Sequence, residues 1–600
     1  MNFLSKRKFV LIVLSVSILL ALFTCYKYLN HIEKKDMAEY VPASAAAFIE
    51  INSLSTLFSE LLKTEAWQKL APSFGISKQI EYLTSAADIL TFTGLGPTEA
   101  TLLARAQYAV VLDNLEFATT ETDRELQTEN TAGELEIIPR FALVIETQSR
   151  STKVEEYLAN RVALLAQRIY SNKVIAKEEV FHEIKIKVFE SENQKRSIIA
   201  AQKGSVLIVG NSLLSVQNCL SVLLGKQPSF KNNPSLKVAR EKMGNQSIVF
   251  GFITKETVSR ILQIGTGFLP KLTAISNSKN QSLPSIISSE LVGGLAYSAS
   301  FNKGKVVERY FTLIKPEIME RINSAVQPTS KEMVLTPGLM DSSLDFTVLF
   351  VDKPSEFLEE IIKATSAHTD AVIGFALRQL IIELGKKYGI VPEDPISDLI
   401  DNEIALVKIP EVEKDEFVVM LGVNNRLRIL PSVGRYLRKG NEKVNSEEYK
   451  GVEIVSNPDS EARAIAFLDD YLVLGTKNQL ITFINLWQTR KLDQESKVKL
   501  SIIQGFPNAI FLSSKVEKRA VGDFFLSISR LLRTTDGARE ILNNEPIRSL
   551  VAQIPPSLSV GELGNEGLMI ETRSAIGVFV YLSMFFDNSA NELQESQTTK

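Results

Sequence analysis

The side chains that most often carry catalysis or hold metals are few in this chain, and their spacing predicts no site. Three histidines occur in 600 residues: His31, His182 and His368. Zinc sites usually place some ligands a few residues apart, as in H-E-x-x-H, and these histidines are too widely separated for that pattern. We therefore interpret each of them as a solvated or hydrogen-bonded side chain, and we predict no metal ligand.

Only two cysteines occur, which excludes a framework of several disulfides and a four-thiolate cluster. One of them, Cys219, stands among Leu214, Val216 and Leu220 in a segment whose pattern predicts a helix. A buried free cysteine behaves as a small apolar residue, and that is the role we predict for Cys219.

The motifs of nucleophilic catalysis and of phosphate binding are absent or incomplete. G-x-S-x-G does not occur, and Ser276 and Lys279 form a bare S-x-x-K with no K-T-G after it. The dipeptide Gly225-Lys226 lacks the upstream glycine of a phosphate loop, and Pro270 stands where a G-x-G-x-x-G motif needs its third glycine. We assign no catalytic residue and no cofactor-binding residue.

An acidic stretch covers residues 113–139, between two predicted strands. We interpret it as a solvated surface loop. The alternative is a flexible acidic arm that contacts a basic partner or binds divalent ions weakly, although its spacing is not that of an EF-hand.

Length and composition indicate a large globular protein. Six hundred residues predict two or more domains, and an apolar fraction of 45% with 23% charged residues is globular. The formal net charge is −3, which argues against a protein built mainly to bind nucleic acid.

The N-terminal segment, residues 1–30, predicts a transmembrane signal anchor. Residues 9–26 form an almost unbroken apolar run after three cations at 6–8. As a helix, such a run spans roughly 27 Å, close to the hydrocarbon thickness of a bilayer. The charge asymmetry favours a cytoplasmic N-terminus in the cell membrane, with the bulk of the chain extracytoplasmic. A cleaved signal peptide and a lipoprotein acylated at Cys25 remain as alternatives.

The remaining chain predicts an internal duplication. The segment 302–308 matches 565–571, with Asn and Gly placed in both predicted hairpin turns where positive φ is needed. Further matches follow in the same order upstream. They pair 206–211 with 472–476, 184–186 with 452–454, 141–144 with 417–420, and 108–111 with 404–407.

The predicted fold class is α+β: two similar tandem domains with mixed or antiparallel sheets, each sheet covered on one face by helices. A ferredoxin-like unit over 46–181 is a further prediction. The amphipathic helix 152–170 places six residues on its apolar face: Val154, Tyr157, Leu158, Val162, Leu165 and Ile169. The predicted domains are 31–330 and 331–586, with a connection around 315–336 and a disordered tail at 587–600. The apolar segment 576–586 is too short to cross a bilayer, and we predict a buried terminal element there. The alternative is an interfacial membrane contact or a partner surface.

The stretch 41–52 and the following segment that ends in Thr64-Glu65-Ala66-Trp67 resemble the start of a bacterial family known only as a domain of unknown function. The strand-glycine-helix segments 205–224 and 471–487 are similar to that family's recurring pattern. The resemblance implies an anchored protein of the bacterial envelope, and it implies no catalytic residue.

Together these observations predict a membrane-anchored envelope protein that is not an enzyme and that acts as a scaffold through a protein partner. Two alternatives remain open. One is a carrier or binder of an apolar ligand such as a lipid, and the other is a hydrolase whose acid/base pair the sequence does not reveal. The predicted partners are the membrane, through residues 9–26, and another envelope protein.

Overall fold

The computed structural model describes most of the chain between Lys34 and Tyr581. The described residues are 34–77, 82, 85–86, 104–119, 135–149, 151–170, 174–192, 196–244, 247–267, 292–325, 338–339, 344–350, 400–409, 417–423, 426–437, 444–457, 463–469, 471–490, 502, 505–506, 508–531 and 545–581.

Strands and helices alternate along the described chain. The strands are β1 (Ala47–Ile51), β2 (Gln107–Thr119), β3 (Leu135–Glu146), β4 (Val174–Phe181), β5 (Ile184–Ser191), β6 (Ser197–Lys203), β7 (Val206–Gly210), β8 (Val249–Thr254), β9 (Val292–Asn302), β10 (Lys305–Ile314), β11 (Asp345–Phe350), β12 (Ile400–Lys408), β13 (Phe417–Val423), β14 (Asn445–Tyr449), β15 (Val452–Ser456), β16 (Ala464–Leu468), β17 (Tyr471–Gly475), β18 (Ala509–Lys515), β19 (Ser557–Gly564) and β20 (Gly567–Ser574).

The helices are α1 (Leu54–Leu62), α2 (Glu65–Leu70), α3 (Ser151–Tyr157), α4 (Ala163–Ile169), α5 (Leu213–Leu223), α6 (Pro234–Met243), α7 (Lys255–Gly267), α8 (Pro316–Ala325), α9 (Arg426–Leu437), α10 (Lys477–Thr489), α11 (Lys518–Leu531) and α12 (Glu545–Ala552). A π-helical turn (Leu158–Val162) joins α3 to α4, and short 3-10 helices cover Met37–Tyr40, Phe230–Asn232 and Gly577–Tyr581.

Backbone contacts divide the chain into two compact units. The first comprises Met1–Glu60 and Lys78–Asn233, and the second comprises Leu61–Ser77 and Pro234–Lys600. The predicted domain boundary near residue 330 divides the chain by its apparent sequence repeat, whereas the two units divide it by compactness. The predicted boundary stays a prediction.

In the first unit, the described strands form an antiparallel sheet in the order β1-β2-β3-β7-β6-β5-β4. This order excludes the predicted ferredoxin-like unit. In that split motif a strand does not pair with the next one across the helix, whereas β1 pairs directly with β2.

The first unit's sheet is covered on both faces, not on one as predicted. Leu143 and Ile145 of β3 pack with Val154 and Leu158 of the helical segment 151–169. Neighbouring strand residues point to opposite faces, and Val144 is buried as well. Helix α5 lies against β3, β6 and β7.

In the second unit, the described strands continue one antiparallel order: β8-β9-β10-β20-β19-β18-β11-β12-β13-β17-β16-β15-β14. All strand pairs in the described residues of both units are antiparallel, so the mixed-sheet alternative is not what these segments adopt. The α+β class is therefore confirmed at the level of helices packed on antiparallel strands.

The second unit's sheet is also buried on both faces around β13. Met420 belongs to a core cluster with Phe483 and Trp487 of α10. The adjacent residue Leu421 belongs to a different cluster, which it shares with Val433 of α9. Helix α10 begins with a capping box: Thr476 accepts from the Gln479 backbone, and the Gln479 side chain accepts from the Thr476 backbone.

The two strand orders share a pattern. The order β1-β2-β3-β7-β6-β5-β4 in the first unit is matched by β11-β12-β13-β17-β16-β15-β14 in the second. In each set, a helix after the third strand packs on one face of the sheet. The segments paired from sequence fall on strands with equivalent places, such as 141–144 on β3 and 417–420 on β13.

The hairpin used to align the two halves differs from the prediction. In the first hairpin, Lys303 and Gly304 form the turn and both have positive φ. In the second, Asn565 and Glu566 form the turn, and Gly567 (φ +148°) lies beyond it, paired with Gly564. The prediction that Asn and Gly share the turn in both copies is therefore wrong, and the turns correspond at a spacing one residue shorter.

Several other predictions are corrected by the observed elements. The acidic stretch 113–139 is not entirely a loop, because β2 extends to Thr119 and β3 starts at Leu135, and the two strands stay paired to those ends. The predicted connection 315–336 contains helix α8. Thr64 separates α1 from α2, because its hydroxyl caps a new helix by accepting from the Trp67 backbone.

At the two ends of the described chain the outcomes differ. Ile576 and Val580 are buried, as predicted for a terminal element that packs on the core. The tail 587–600 lies outside the described residues. Among the residues that the structure does describe, no helix has the length and apolar character needed to span a bilayer, and the predicted anchor at 9–26 is not among those residues.

Candidate functional site

Among the described residues, those singled out from sequence do not lie together in one site. His31, His368, Cys25 and the pair Ser276 and Lys279 lie outside the described residues. His182, Cys219 and the dipeptide Gly225-Lys226 are described and belong to the first unit, where His182 lies on a different element from the other two.

His182 occupies the tight turn between β4 and β5. Its φ of 48° is left-handed, and Phe181 packs against its ring edge at 4.4 Å between ring centroids. Such a turn position explains the residue without a ligand, because histidine tolerates positive φ better than most side chains.

Cys219 is buried on α5, as predicted, and burial raises the pKa of its thiol. A thiol held in its protonated form is a poor nucleophile. Gly225, whose φ of +69° favours glycine, ends the same helix. Its N–H donates to the Val222 carbonyl, and the N–H of Lys226 donates to the Ser221 carbonyl. A phosphate loop would open a helix, so this dipeptide is a helix end.

Two buried glutamates form polar clusters that the sequence did not reveal. The first is Glu146, at the end of β3. Its Oε2 accepts hydrogen bonds from Lys35 Nζ and from the Tyr40 hydroxyl, both at 2.8 Å. Its Oε1 accepts from the backbone N–H of Gln148 at 3.1 Å. The carboxylate has no solvent exposure, so these donors replace water.

The cluster around Glu146 favours the ionised carboxylate. Burial alone would raise the pKa of Glu146, but hydrogen bonds from Lys35, Ser205 and Tyr40 and from the Gln148 backbone together lower it. Burial alone would likewise lower the pKa of Lys35, and the bond to Glu146 raises it. Burial, followed by the bond to Glu146, raises the pKa of Tyr40 to about 12. The three groups form a fixed ion pair with a phenol donor.

This first cluster attaches the start of the described chain to the sheet. The backbone N–H of Lys35 donates to Gln107 Oε1 on β2, and Gln107 Nε2 donates to the Lys35 carbonyl, both at 2.9 Å. Asp36 accepts from the Ala38 backbone and so caps the short 3-10 helix. We call residues 35–40 with Gln107 and Glu146 the N-terminal clamp.

The second cluster surrounds Glu308 on β10, in the second unit. Its Oε1 accepts from the Tyr297 hydroxyl at 2.8 Å and from the backbone N–H of Val578 at 2.9 Å. Gly577, with φ +71°, brings that backbone close, and a Cβ there would lie 3.0 Å from the Glu308 carboxyl carbon. Tyr310 is a further hydrogen-bond partner of the carboxylate.

The pKa of Glu308 is shifted in the opposite direction from that of Glu146. Burial raises its pKa, and the hydrogen bonds from Val578, Tyr297 and Tyr310 offset only part of that effect. Burial also raises the pKa of the nearby Glu517, which Glu308 and Asp345 raise further. A carboxyl group with a raised pKa could serve as a general acid, but Glu308 uses its acceptor sites on the protein's own donors.

The described residues offer no set of three or more His, Cys, Asp or Glu side chains arranged to hold a metal ion. For both clusters the hydrogen-bond partners show which elements the cluster connects. They join β3 to the N-terminal segment and β10 to the C-terminal 3-10 helix. Sequence could not find them, because Lys35 is 111 positions from Glu146 and Val578 is 270 positions from Glu308, and the protein has many carboxylates.

A third feature is an exposed apolar face on the helical segment 151–169. The π-helical turn contains one residue more than a turn of α-helix. The buried positions of the segment are Val154, Leu158, Val162 and Ala166. The predicted apolar-face residues Leu165 and Ile169 are instead 48% and 55% exposed. The prediction for these two residues is wrong, because it assumed a regular 3.6-residue period.

This face borders a shallow groove of about 210 Å³. Its lining residues are Tyr157, Arg161, Val162, Leu164, Leu165 and Arg168. The charged residues in that lining are both arginines. Positions 161, 164, 165 and 168 follow the spacing of a single helix face, so the arginines flank the exposed leucines. We call Arg161, Leu164, Leu165, Arg168 and Ile169 the helix face.

Comparison with known proteins adds no relative. No family model matches the chain, and neither a curated protein nor a solved structure matches it.

Proposed function

We propose that this protein is a membrane-anchored, extracytoplasmic scaffold that acts through protein contacts rather than by catalysis. The N-terminal clamp is the observation that carries the proposal. It fastens residues 35–40 to the sheet, a few positions after the apolar run that ends at residue 26. A body fastened so close to a membrane helix would be held at the bilayer and could not diffuse away.

The length of the connection sets that distance. Eight residues, 27–34, separate the apolar run from Lys35. Fully extended, they span at most about 28 Å. The first unit would therefore lie within one domain diameter of the membrane surface, as suits a protein whose work is to present a surface at a fixed place.

We also propose that the body arose by duplication. The matching strand orders and the equivalent placement of the helices that follow β3 and β13 support this origin. A duplicated scaffold offers two similar surfaces to its partners. The resemblance to the anchored bacterial envelope family, carried by residues 41–52 and 64–67, belongs to the same proposal.

The test is the topology of the full chain in a bacterial cell. We expect it to resist alkaline extraction from membranes, and we expect protease added outside the cytoplasmic membrane to digest residues beyond 34. Leu19→Arg with Leu20→Arg should release the chain from the membrane, whereas Leu427→Arg, at an exposed position of α9, should not. Extraction of the unaltered chain, or protection of its body from protease, would contradict the proposal.

The contact role has its own test. Photo-crosslinking residues placed across the exposed surface of the full chain should trap a defined envelope protein at adjacent positions. The carrier alternative predicts a different result, a lipid that copurifies and appears in the native mass spectrum. The small groove at the helix face is the feature that favours that alternative.

A further inference from the structure

The helix face combines exposed apolar side chains with positive charge. Leu164, Leu165 and Ile169 are 41%, 48% and 55% exposed, although each is a large apolar residue. Arg161 and Arg168 line the same groove as the two leucines. A helix that presents leucine and isoleucine beside arginine is the pattern of a segment that lies in a membrane interface.

The helical segment starts beside the N-terminal clamp. Gln148, three residues before Ser151, donates its backbone N–H to the same Glu146 carboxylate that Lys35 binds. The segment 151–169 is about 28 Å long at a helical rise of 1.5 Å per residue. The helix face therefore lies on the first helical segment that follows Gln148, whose backbone shares the Glu146 carboxylate with Lys35.

We propose that the helix face rests in the interfacial layer of an anionic bilayer, with its leucines among the acyl-chain ends and its arginines at lipid phosphates. This inference rests on the proposed anchoring, because the anchor and the short connection bring the face to the membrane. Two observations favour lipid over a protein partner at this face. The reach of residues 27–34 limits the distance between Lys35 and the membrane surface. The charges lining the groove are all positive, opposite in sign to lipid phosphates.

The π-helical turn is what makes the contact available. Without the extra residue, the helix would turn Leu165 and Ile169 towards the sheet and Ala166 away from it. The packing of Val154, Leu158, Val162 and Ala166 frees the larger side chains for an outside surface. The π-helical turn thus buries the small residue Ala166 and leaves Leu165 and Ile169 exposed.

The experiment uses the full chain with Cys25→Ser, reconstituted in vesicles of phosphatidylglycerol and phosphatidylcholine. An environment-sensitive fluorophore is attached at Leu165→Cys, and lipids that carry a quencher on the acyl chain are added. The matched control is Val180→Cys on β4, a position that is 70% exposed in the same unit. Native Cys219 is buried and should not take up the label.

We expect the quencher to reduce the emission at position 165 by about twofold or more, with little change at position 180. The double variant Arg161→Gln with Arg168→Gln should weaken the quenching, as should vesicles of phosphatidylcholine alone. Equal quenching at 165 and 180 in a chain that stays in the vesicles would overturn the inference while leaving the anchoring intact.

Loss of the chain from the vesicles would overturn the proposed anchoring, and this inference with it. A label at 165 that is shielded in whole cells but unquenched in the vesicles would assign the helix face to a protein partner and overturn the assignment to lipid.

Discussion

Lys35 Nζ lies 2.8 Å from Glu146 Oε2, and the glutamate side chain has no solvent exposure. Replacing Lys35 by Met should destabilise the first unit by about 2 kcal/mol, because it leaves a buried carboxylate without its cation. The value is below that of a fully buried pair, since the Lys35 side chain is 36% exposed. Urea unfolding of the full chain, followed by circular dichroism, measures the shift.

The control for Lys35→Met is Lys231→Met. Lys231 forms an ion pair with Glu39 in the same unit, but both side chains are well exposed. Surface pairs contribute little, so this substitution should change the free energy of unfolding by less than about 1 kcal/mol. Equal effects of the two substitutions would mean that the clamp is no stronger than a surface contact.

Acid should weaken the N-terminal clamp. The pKa of Glu146 is lowered from its model-compound value of 4.5, so its contribution to stability is complete above pH 4.5 and is lost as pH falls through the lower folded-state pKa. The stability advantage of the unaltered chain over Glu146→Gln should therefore shrink below that pH. Unfolding measured at a series of pH values checks this, and an advantage that grew on acidification would contradict it.

Glu308 should show the opposite dependence. Its pKa is raised, so its contribution is complete below pH 4.5 and is lost as pH rises through the higher folded-state pKa. Relative to Glu308→Gln, the unaltered chain should become less stable as pH rises, by up to about 1.4 kcal/mol per pH unit within that interval. Glu517 has a raised pKa too. The same pH series measured on Glu517→Gln therefore separates the contributions of the two glutamates to stability. A flat difference between the unaltered chain and Glu308→Gln would refute the prediction.

The pairing of β10 with β20 depends on a glycine at the start of β20. A Cβ on Gly567 would lie 1.9 Å from the Thr312 carbonyl oxygen, and its φ of +148° is unfavourable for other residues. Gly567→Ala should cost about 3 kcal/mol in the free energy of unfolding. Gly564, its partner across the turn, has 3.8 Å of space, so Gly564→Ala should cost less than about 1 kcal/mol.

Thermal unfolding of the two alanine variants measures this difference within one hairpin. The comparison is sharp because both substitutions add the same methyl group at residues that pair with each other. Similar losses for Gly564→Ala and Gly567→Ala would show that the close approach to Thr312 is not maintained.

Local pattern predicted much of the fold, and long-range contact decided the rest. Apolar segments located strands such as β5 and β7, and the buried Cys219 followed from its apolar helix. The Glu146 cluster could not be predicted, because Lys35 and Glu146 are 111 positions apart and nothing local marks either residue. The helix face was missed for a different reason, since a π-helical turn changes the period on which such predictions rest.

Two adjacent residues, Leu165 and Ala166, distinguish a regular helix from the observed one. A continuous 3.6-residue period buries Leu165, whereas the structure buries Ala166 completely and leaves Leu165 48% exposed. Leu165→Gln should therefore change the free energy of unfolding by less than about 1 kcal/mol. Ala166→Gln should cost about 2 to 3 kcal/mol, because it forces a larger polar side chain against Phe189 and Leu207 in the core. Urea unfolding in detergent, where no bilayer can cover the helix face, measures both variants under the same conditions. A larger decrease in the free energy of unfolding for Leu165→Gln than for Ala166→Gln would indicate a regular helix and contradict an exposed helix face.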